Sequence, residues 1–145
     1  MNILQIAMIV FIILETMNVS MLYFMPGSKM GNGIGVFNAF EKSKDNPEIH
    51  NLIKYLINWV AGTKLIFISL LIVIIITGST TTQLFGVIVL IASIFSFFWR
   101  LFPLMRQMDK ENQISPPGYS KTLGYMISGF ISIFVIALII YGLTN

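Results

Sequence analysis

One carboxylate lies in the middle of an apolar run, and its position makes it the residue best suited to chemistry in this sequence. Glu15 lies in the run 3–25, about 18 Å from one end of a helix and about 15 Å from the other. A charged side chain at the centre of a bilayer costs about 2.5–3.5 kcal/mol. The Leu, Ile, Phe and Val residues of the run offset that cost at about −0.3 to −0.6 kcal/mol each. We therefore expect Glu15 to face other helices, to hold a proton or to pair with a cation.

Polar side chains at a similar depth in the other runs are candidates for contact with Glu15. Asn18 follows Glu15 by one helical turn on nearly the same face, and Lys64 and Arg100 are candidate ion-pair partners between which the sequence does not choose. The remaining candidates carry hydroxyl groups: Ser96, Tyr125 and Ser128. Together they predict a ligand- or ion-binding polar layer that ends at Glu15 beneath an apolar outer half. The alternative is that the small polar residues only support helix packing.

The elements that position these residues follow from composition and hydropathy. The chain has 145 residues, of which 56% are hydrophobic and 10% charged, and its mean hydropathy is +0.84. A soluble domain carries about 25% charged residues, so a soluble fold is excluded. Because lipid offers no hydrogen bonds to the backbone, long apolar runs become helices. The sequence therefore predicts an all-α integral membrane protein with a single domain over 1–145, a bundle of four transmembrane helices. They span 3–25, 55–77, 83–105 and 119–143, and Pro103 is a candidate kink.

The connections between the runs predict the orientation. A long cytoplasmic loop is expected from Pro26 to Lys54, although Asn46-Pro47-Glu48 has the residues of a helix start that leads into the second run. Glycines within 31–35 predict a flexible segment and lack the context of a phosphate-binding loop. All nine Lys and Arg residues flank the first and third connections. The positive-inside rule then places both termini outside the cytoplasm in a multi-pass protein of the plasma membrane, or inner membrane.

Several classes of site are disfavoured by residue content. With no cysteine, disulfides, thiolate metal sites and cysteine nucleophiles are excluded. The single histidine, His50, disfavours a haem or histidine-rich metal site. No nucleophile-and-base grouping occurs at one depth, so we expect no enzyme activity, no cofactor and no metal. The expected partners are membrane lipid and either further copies of the chain or another membrane subunit, and nucleic acid is not expected.

The segment from Leu14-Glu15-Thr16-Met17-Asn18 through Phe24 loosely resembles the first span of the small multidrug resistance transporters. Those are four-span proteins of similar size with one essential glutamate in that span. The resemblance implies a transporter in which Glu15 exchanges a proton for a cationic substrate. This chain departs from the family by its greater length, its long first connection and its lack of their glycine- and tryptophan-bearing third span.

The sequence is compatible with three functional hypotheses. The first is a small transporter or channel-like protein in which Glu15 binds a proton, cation or substrate. The second is an accessory subunit whose intramembrane charge directs assembly. The third is a pocket for a lipid or another amphiphile, with Glu15 and Arg100 contacting its head group.

Overall fold

The chain folds into four long apolar helices that are able to span a membrane. The structure is a computed structural model that describes residues 1–30 and 33–144; Gly31 and Asn32 of the predicted flexible segment lie outside the described residues. Its helices are α1 (Ile3–Phe24), α2 (Asn38–Ser43), α3 (Pro47–Thr77), α4 (Thr80–Phe95), α5 (Phe97–Lys110) and α6 (Tyr119–Thr144). The spans are α1, α3, α4 together with α5, and α6. The protein is therefore a small polytopic membrane protein built as a helical bundle.

The prediction of a long loop between the first and second spans is wrong, because helical structure occupies most of the region 26–54. A 3₁₀ turn at Ile34–Val36 and the short helix α2 follow α1, and α3 begins at Pro47 instead of near residue 55. The Asn46 side chain accepts hydrogen bonds from the backbone N–H groups of Glu48 and Ile49, at 3.1 and 3.3 Å. The predicted helix start at Asn46-Pro47 is thus confirmed, and the connection is short.

The third span is interrupted at Ser96 and not at Pro103, which lies inside α5. The Ser96 hydroxyl donates to the carbonyl of Ser93 at 2.6 Å, and the Trp99 N–H donates to the carbonyl of Ser96 at 3.1 Å. Both bonds join residues three apart. Such local bonds compete with the regular helical ladder and tighten the turn. The break separates α4 from α5, so the two can pack on different neighbours.

The two ends of the bundle are held by different contacts. At one end, the connection after α1 pairs with the connection before α6. The Phe37–Ile114 bridge joins them, and the Ser115 N–H donates to the carbonyl of Val36 at 2.8 Å. The basic residues of the chain lie toward this end, which we call the basic end. At the other end, the far end, the Asn2 side chain donates to Gln83 at 2.8 Å.

The start of α6 is fixed against the end of α5 by one carboxylate. Asp109 accepts hydrogen bonds from the N–H of Gly118 at 2.9 Å, and from the N–H and hydroxyl of Ser120 at 3.1 and 2.6 Å. Gly118 has a φ of +83°, a conformation that glycine adopts without strain. This cap determines where Tyr119 and the first turns of α6 lie.

The far half of the bundle is filled by an apolar core. The Phe11 ring makes edge-to-face contacts with Phe67, Phe130 and Phe134 at centroid distances of 6.0, 5.4 and 5.4 Å. These rings belong to α1, α3 and α6, and Leu71, Val87 and Leu90 extend the same core. The packed rings close the bundle between the far end and the level of Glu15.

Candidate functional site

An ion pair between α1 and α3 forms the centre of the candidate site. Lys64 Nζ donates to Glu15 Oε2 at 2.5 Å, and 12% of the Glu15 side chain and 27% of the Lys64 side chain are exposed. α1 and α3 are close neighbours, with Val19 and the fully buried Ala61 between them. A small residue at position 61 lets the two helix backbones approach. Lys64 gives the Glu15 carboxylate a counter-charge, so Glu15 is not an unpaired charge in the apolar interior.

A cavity of about 440 Å³ extends from this ion pair toward the basic end. Helices α1, α3, α5 and α6 form its walls, and the 3₁₀ turn with Phe37 lies over it. The walls are mostly apolar, with Leu22, Val60, Leu101, Met105, Leu123 and Ile127 among the lining residues. Glu15 and Lys64 are the charged side chains among the described residues that line it. We call this space the Glu15 cavity, and its volume falls within the range of about 300–1,000 Å³ typical of small-molecule sites.

Part of the Glu15 carboxylate remains available for a further contact. Oε2 accepts the Lys64 ammonium, and no other hydrogen bond to the Glu15 carboxylate is seen among the residues that the structure describes. Lys64 in turn uses one of its three ammonium protons on Glu15. The site therefore presents a free acceptor and free donors side by side on an otherwise apolar wall.

Arg100, the other candidate partner of Glu15, lies elsewhere. Its guanidinium packs over the ring of Trp99 at 5.5 Å, and both residues are exposed on the outside of the bundle. Arg100 and Ser96 line a separate groove along α4 and α5. The structure therefore joins Lys64 to Glu15 and leaves Arg100 as an outward-facing charge near the basic end.

The hydroxyl-bearing candidates do not join the ion pair. Ser96 is exposed and bonds to its own helix, and Tyr125 is 78% exposed. Ser128 is exposed, and its carbonyl accepts the Ser132 hydroxyl at 2.9 Å. The polar layer expected across all four helices is thus not assembled, because these side chains point to the outside of the bundle.

Asn18 lies beside Glu15 and borders a second cavity, which Glu15 also lines. Asn18 and Glu15 line a cavity of about 130 Å³ between α1 and α6, with Met21 and Met126. Asn18 Oδ1 is buried and has no hydrogen-bond partner among the described residues. Glu15 therefore borders two cavities, a large one shared with Lys64 and a small one shared with Asn18.

Sequence reasoning missed the apolar residues that give the site its shape. Phe97, Leu101 and Met105 of α5 line the Glu15 cavity with Leu123 of α6. They are ordinary apolar residues of membrane spans, and their role depends on the rotation of each helix about its axis. A hydropathy pattern carries no signal for that rotation in lipid, where most helix faces are apolar.

No protein family, curated protein or solved structure matches this chain.

Proposed function

We propose that this membrane protein binds an amphiphilic molecule in the Glu15 cavity, with the apolar part against the walls and the polar group at the Glu15–Lys64 ion pair. The observation that carries this proposal is an apolar cavity of about 440 Å³ that ends on a paired carboxylate and ammonium. Ligand pockets combine mostly apolar walls with a few polar groups that fix orientation. The packed rings around Phe11 close the cavity toward the far end, so the arrangement favours a binding pocket over a continuous pore.

The charges of the site favour an uncharged, hydrogen-bonding head group such as a hydroxyl. Glu15 and Lys64 neutralise each other, and the other lining residues are uncharged. A charged head group would add an unbalanced charge to an apolar space, which is costly. A hydroxyl, in contrast, donates to the free Glu15 Oε1 and accepts from the Lys64 ammonium.

Photolabelling with a dodecanol that carries a diazirine tests the binding proposal. The probe is dissolved in vesicles that contain the protein, and adducts are mapped by peptide mass spectrometry after illumination. We expect adducts on cavity residues such as Met105 in the wild type and their loss in Leu123→Trp, which fills the cavity. Ile133→Trp is the matched control, because Ile133 is on the same helix and 40% exposed. Cavity adducts in Leu123→Trp at the wild-type level would overturn the proposal.

Probes with three different head groups test the head-group preference. Diazirine analogues of dodecanol, dodecylammonium and dodecanoate are used at equal membrane concentration. We expect the alcohol to give the highest yield of cavity adducts. A higher yield from either charged analogue would show that Glu15 or Lys64 binds the head group as an unpaired charge. It would reject the proposal of an uncharged head group.

Transport is a second candidate function, favoured by the position of Glu15 between two cavities. A carboxylate that borders two spaces is able to exchange partners between them, as coupled transport requires. Proteoliposomes with an internal pH-sensitive dye and added dodecylammonium test this candidate. Proton movement that disappears in Glu15→Gln would support it, whereas equal signals in protein-containing and empty vesicles would reject it.

The positive-inside rule further places the basic end in the cytoplasm. The Glu15 cavity then lies in the cytoplasmic half of the plasma membrane. The lysines and arginines around it also attract the anionic lipids of that leaflet.

A further inference from the structure

The side of the Glu15 cavity between α3 and α5 is not closed by helix packing. α3 packs on α1, α2 and α4, whereas α5 packs on α4 and α6, and within the described chain α3 and α5 make no extensive contact with each other. Val60 of α3 and Leu101 of α5 both line the cavity, and they are 49% and 52% exposed. The cavity therefore reaches the outside of the bundle between these two helices.

The basic end of the cavity, by contrast, is covered. The 3₁₀ turn at Ile34–Val36 and Phe37 lie over it, and Val36 is fully buried. Backbone hydrogen bonds hold this cover to the connection before α6, from Ser115 N–H to Val36 and from Asn38 N–H to Gln113, at 2.8 and 2.9 Å. A solute from the aqueous side would have to displace this hydrogen-bonded cover.

Apolar surface next to the Glu15 cavity continues along α3 toward the basic end. Ile53, Leu56 and Val60 line a further cavity of about 220 Å³ beneath Ile34, next to the Glu15 cavity. Val60 and Ile34 border both spaces. A hydrated polar solute would lose its hydration on such a surface without compensation, whereas a hydrocarbon chain would not.

We propose that the gap between α3 and α5 is a lateral opening to the bilayer, and that the ligand is a lipid-like molecule drawn from the membrane. The occupant is a hydrocarbon chain with an uncharged hydrogen-bonding head group. Its head reaches the neutral Glu15–Lys64 pair and its chain lies past Val60 and Leu101. This inference rests on the proposed function and names the source of the ligand, the bilayer instead of water.

A removable bridge across the opening tests the inference. The chain has no cysteine, so Val60→Cys with Leu101→Cys provides a unique pair for a bifunctional thiol reagent with a reducible linker. The diazirine dodecanol is added to the vesicles after bridging. We expect adducts on Met105 in the unbridged double variant, their loss once the linker bridges the two cysteines, and their recovery after the linker is reduced. Adducts on exposed residues such as Ile133 serve as the internal control and stay unchanged.

The outcomes separate the two proposals. If the unbridged double variant and the wild type give no cavity adducts, the binding proposal fails. If the unbridged protein is labelled and the bridge leaves that labelling unchanged, binding stands and lateral access is overturned.

Discussion

At the scale of single residues, the ion pair gives Glu15 its place in the apolar interior. Removing one partner leaves the other buried without a counter-charge. A fully buried pair that loses one partner is destabilised by about 3–5 kcal/mol. We expect a smaller loss for Glu15→Gln or Lys64→Met, because 27% of the Lys64 side chain is exposed.

A double-mutant cycle measures this coupling. The variant with both Glu15→Gln and Lys64→Met is expected to be more stable than either single variant, since it contains no unpaired charge. Unfolding in a denaturing-detergent titration gives the four free energies. Additive losses in the double variant would mean that the two side chains are not coupled.

A substitution at Asn18 is expected to raise the free energy of unfolding, in contrast to the single substitutions at Glu15 and Lys64. Its Oδ1 is buried without a partner among the described residues, and an unsatisfied buried acceptor costs about 1–3 kcal/mol. We therefore expect Asn18→Leu to raise the free energy of unfolding, as measured by the same titration. A loss of stability would contradict the prediction that the unpartnered Asn18 side chain costs stability.

The chemical requirements of single residues were predictable from the sequence, whereas the contacts between their side chains were not. One charge in an apolar run predicts that Glu15 faces other helices, holds a proton or pairs with a cation, and the structure shows the ion pair. The choice of Lys64 over Arg100 does not follow from the sequence, because it depends on how α3 and α5 rotate about their axes. The Ser96 hydroxyl donates to the carbonyl of Ser93, and the Ser132 hydroxyl donates to the carbonyl of Ser128. Such bonds to the preceding turn are always open to serine and give no sign of a site.

At the scale of helices, the close packing of α5 and α6 positions one wall of the Glu15 cavity. A Cβ on Gly124 would lie 2.8 Å from Phe102 Cε2, and the Phe102 ring packs against Phe97 at a centroid distance of 5.8 Å. Phe97 in turn lines the cavity. Gly124 therefore permits the approach that places these rings.

We expect Gly124→Ala to destabilise the protein by about 1–3 kcal/mol, the usual cost of overpacking. Gly129→Ala is the matched control on the same helix, because a Cβ there would meet nothing within 4 Å. Denaturing-detergent titrations of both variants check the prediction. Equal stability of the two would contradict the packing role of Gly124.

Helix positions were more predictable than helix continuity. Hydropathy located the apolar runs, and the Asn46 cap located the start of α3, because both signals are local in sequence. The break at Ser96 was missed because serine is a weak helix-breaking signal. Pro103, the candidate kink, lies within α5, which continues to Lys110. The compact connection after α1 was missed because its backbone pairing with Ile114 joins segments far apart in the chain.

At the scale of the whole molecule, the basic residues predict orientation. With no native cysteine, Lys42→Cys at the basic end and Thr81→Cys near the far end are single labelling sites, and both positions are exposed. We expect a membrane-impermeant maleimide to label Thr81→Cys in intact cells and Lys42→Cys only after permeabilisation. The reverse pattern would place the basic end outside the cytoplasm.

The architecture of the whole bundle closes the Glu15 cavity at its two ends and leaves one side open. Aromatic packing fills the far half, a hydrogen-bonded cover lies at the basic end, and the separation of α3 and α5 leaves access from the membrane. Which sides are closed depends on which helices pack together, so this feature could not be predicted from any single segment of the sequence.

Crystallography with a brominated alcohol locates an amphiphile bound in the Glu15 cavity. Crystals of the protein grown with ω-bromododecanol, measured at the bromine absorption edge, locate the chain end by anomalous scattering and the hydroxyl by ordinary density. We expect a hydroxyl within hydrogen-bonding distance of Glu15 Oε1, chain density between Val60 and Leu101, and a bromine peak beyond these two residues on the bilayer side. Bromine peaks confined to the outer surface of the bundle, with the Glu15 cavity empty, would contradict it.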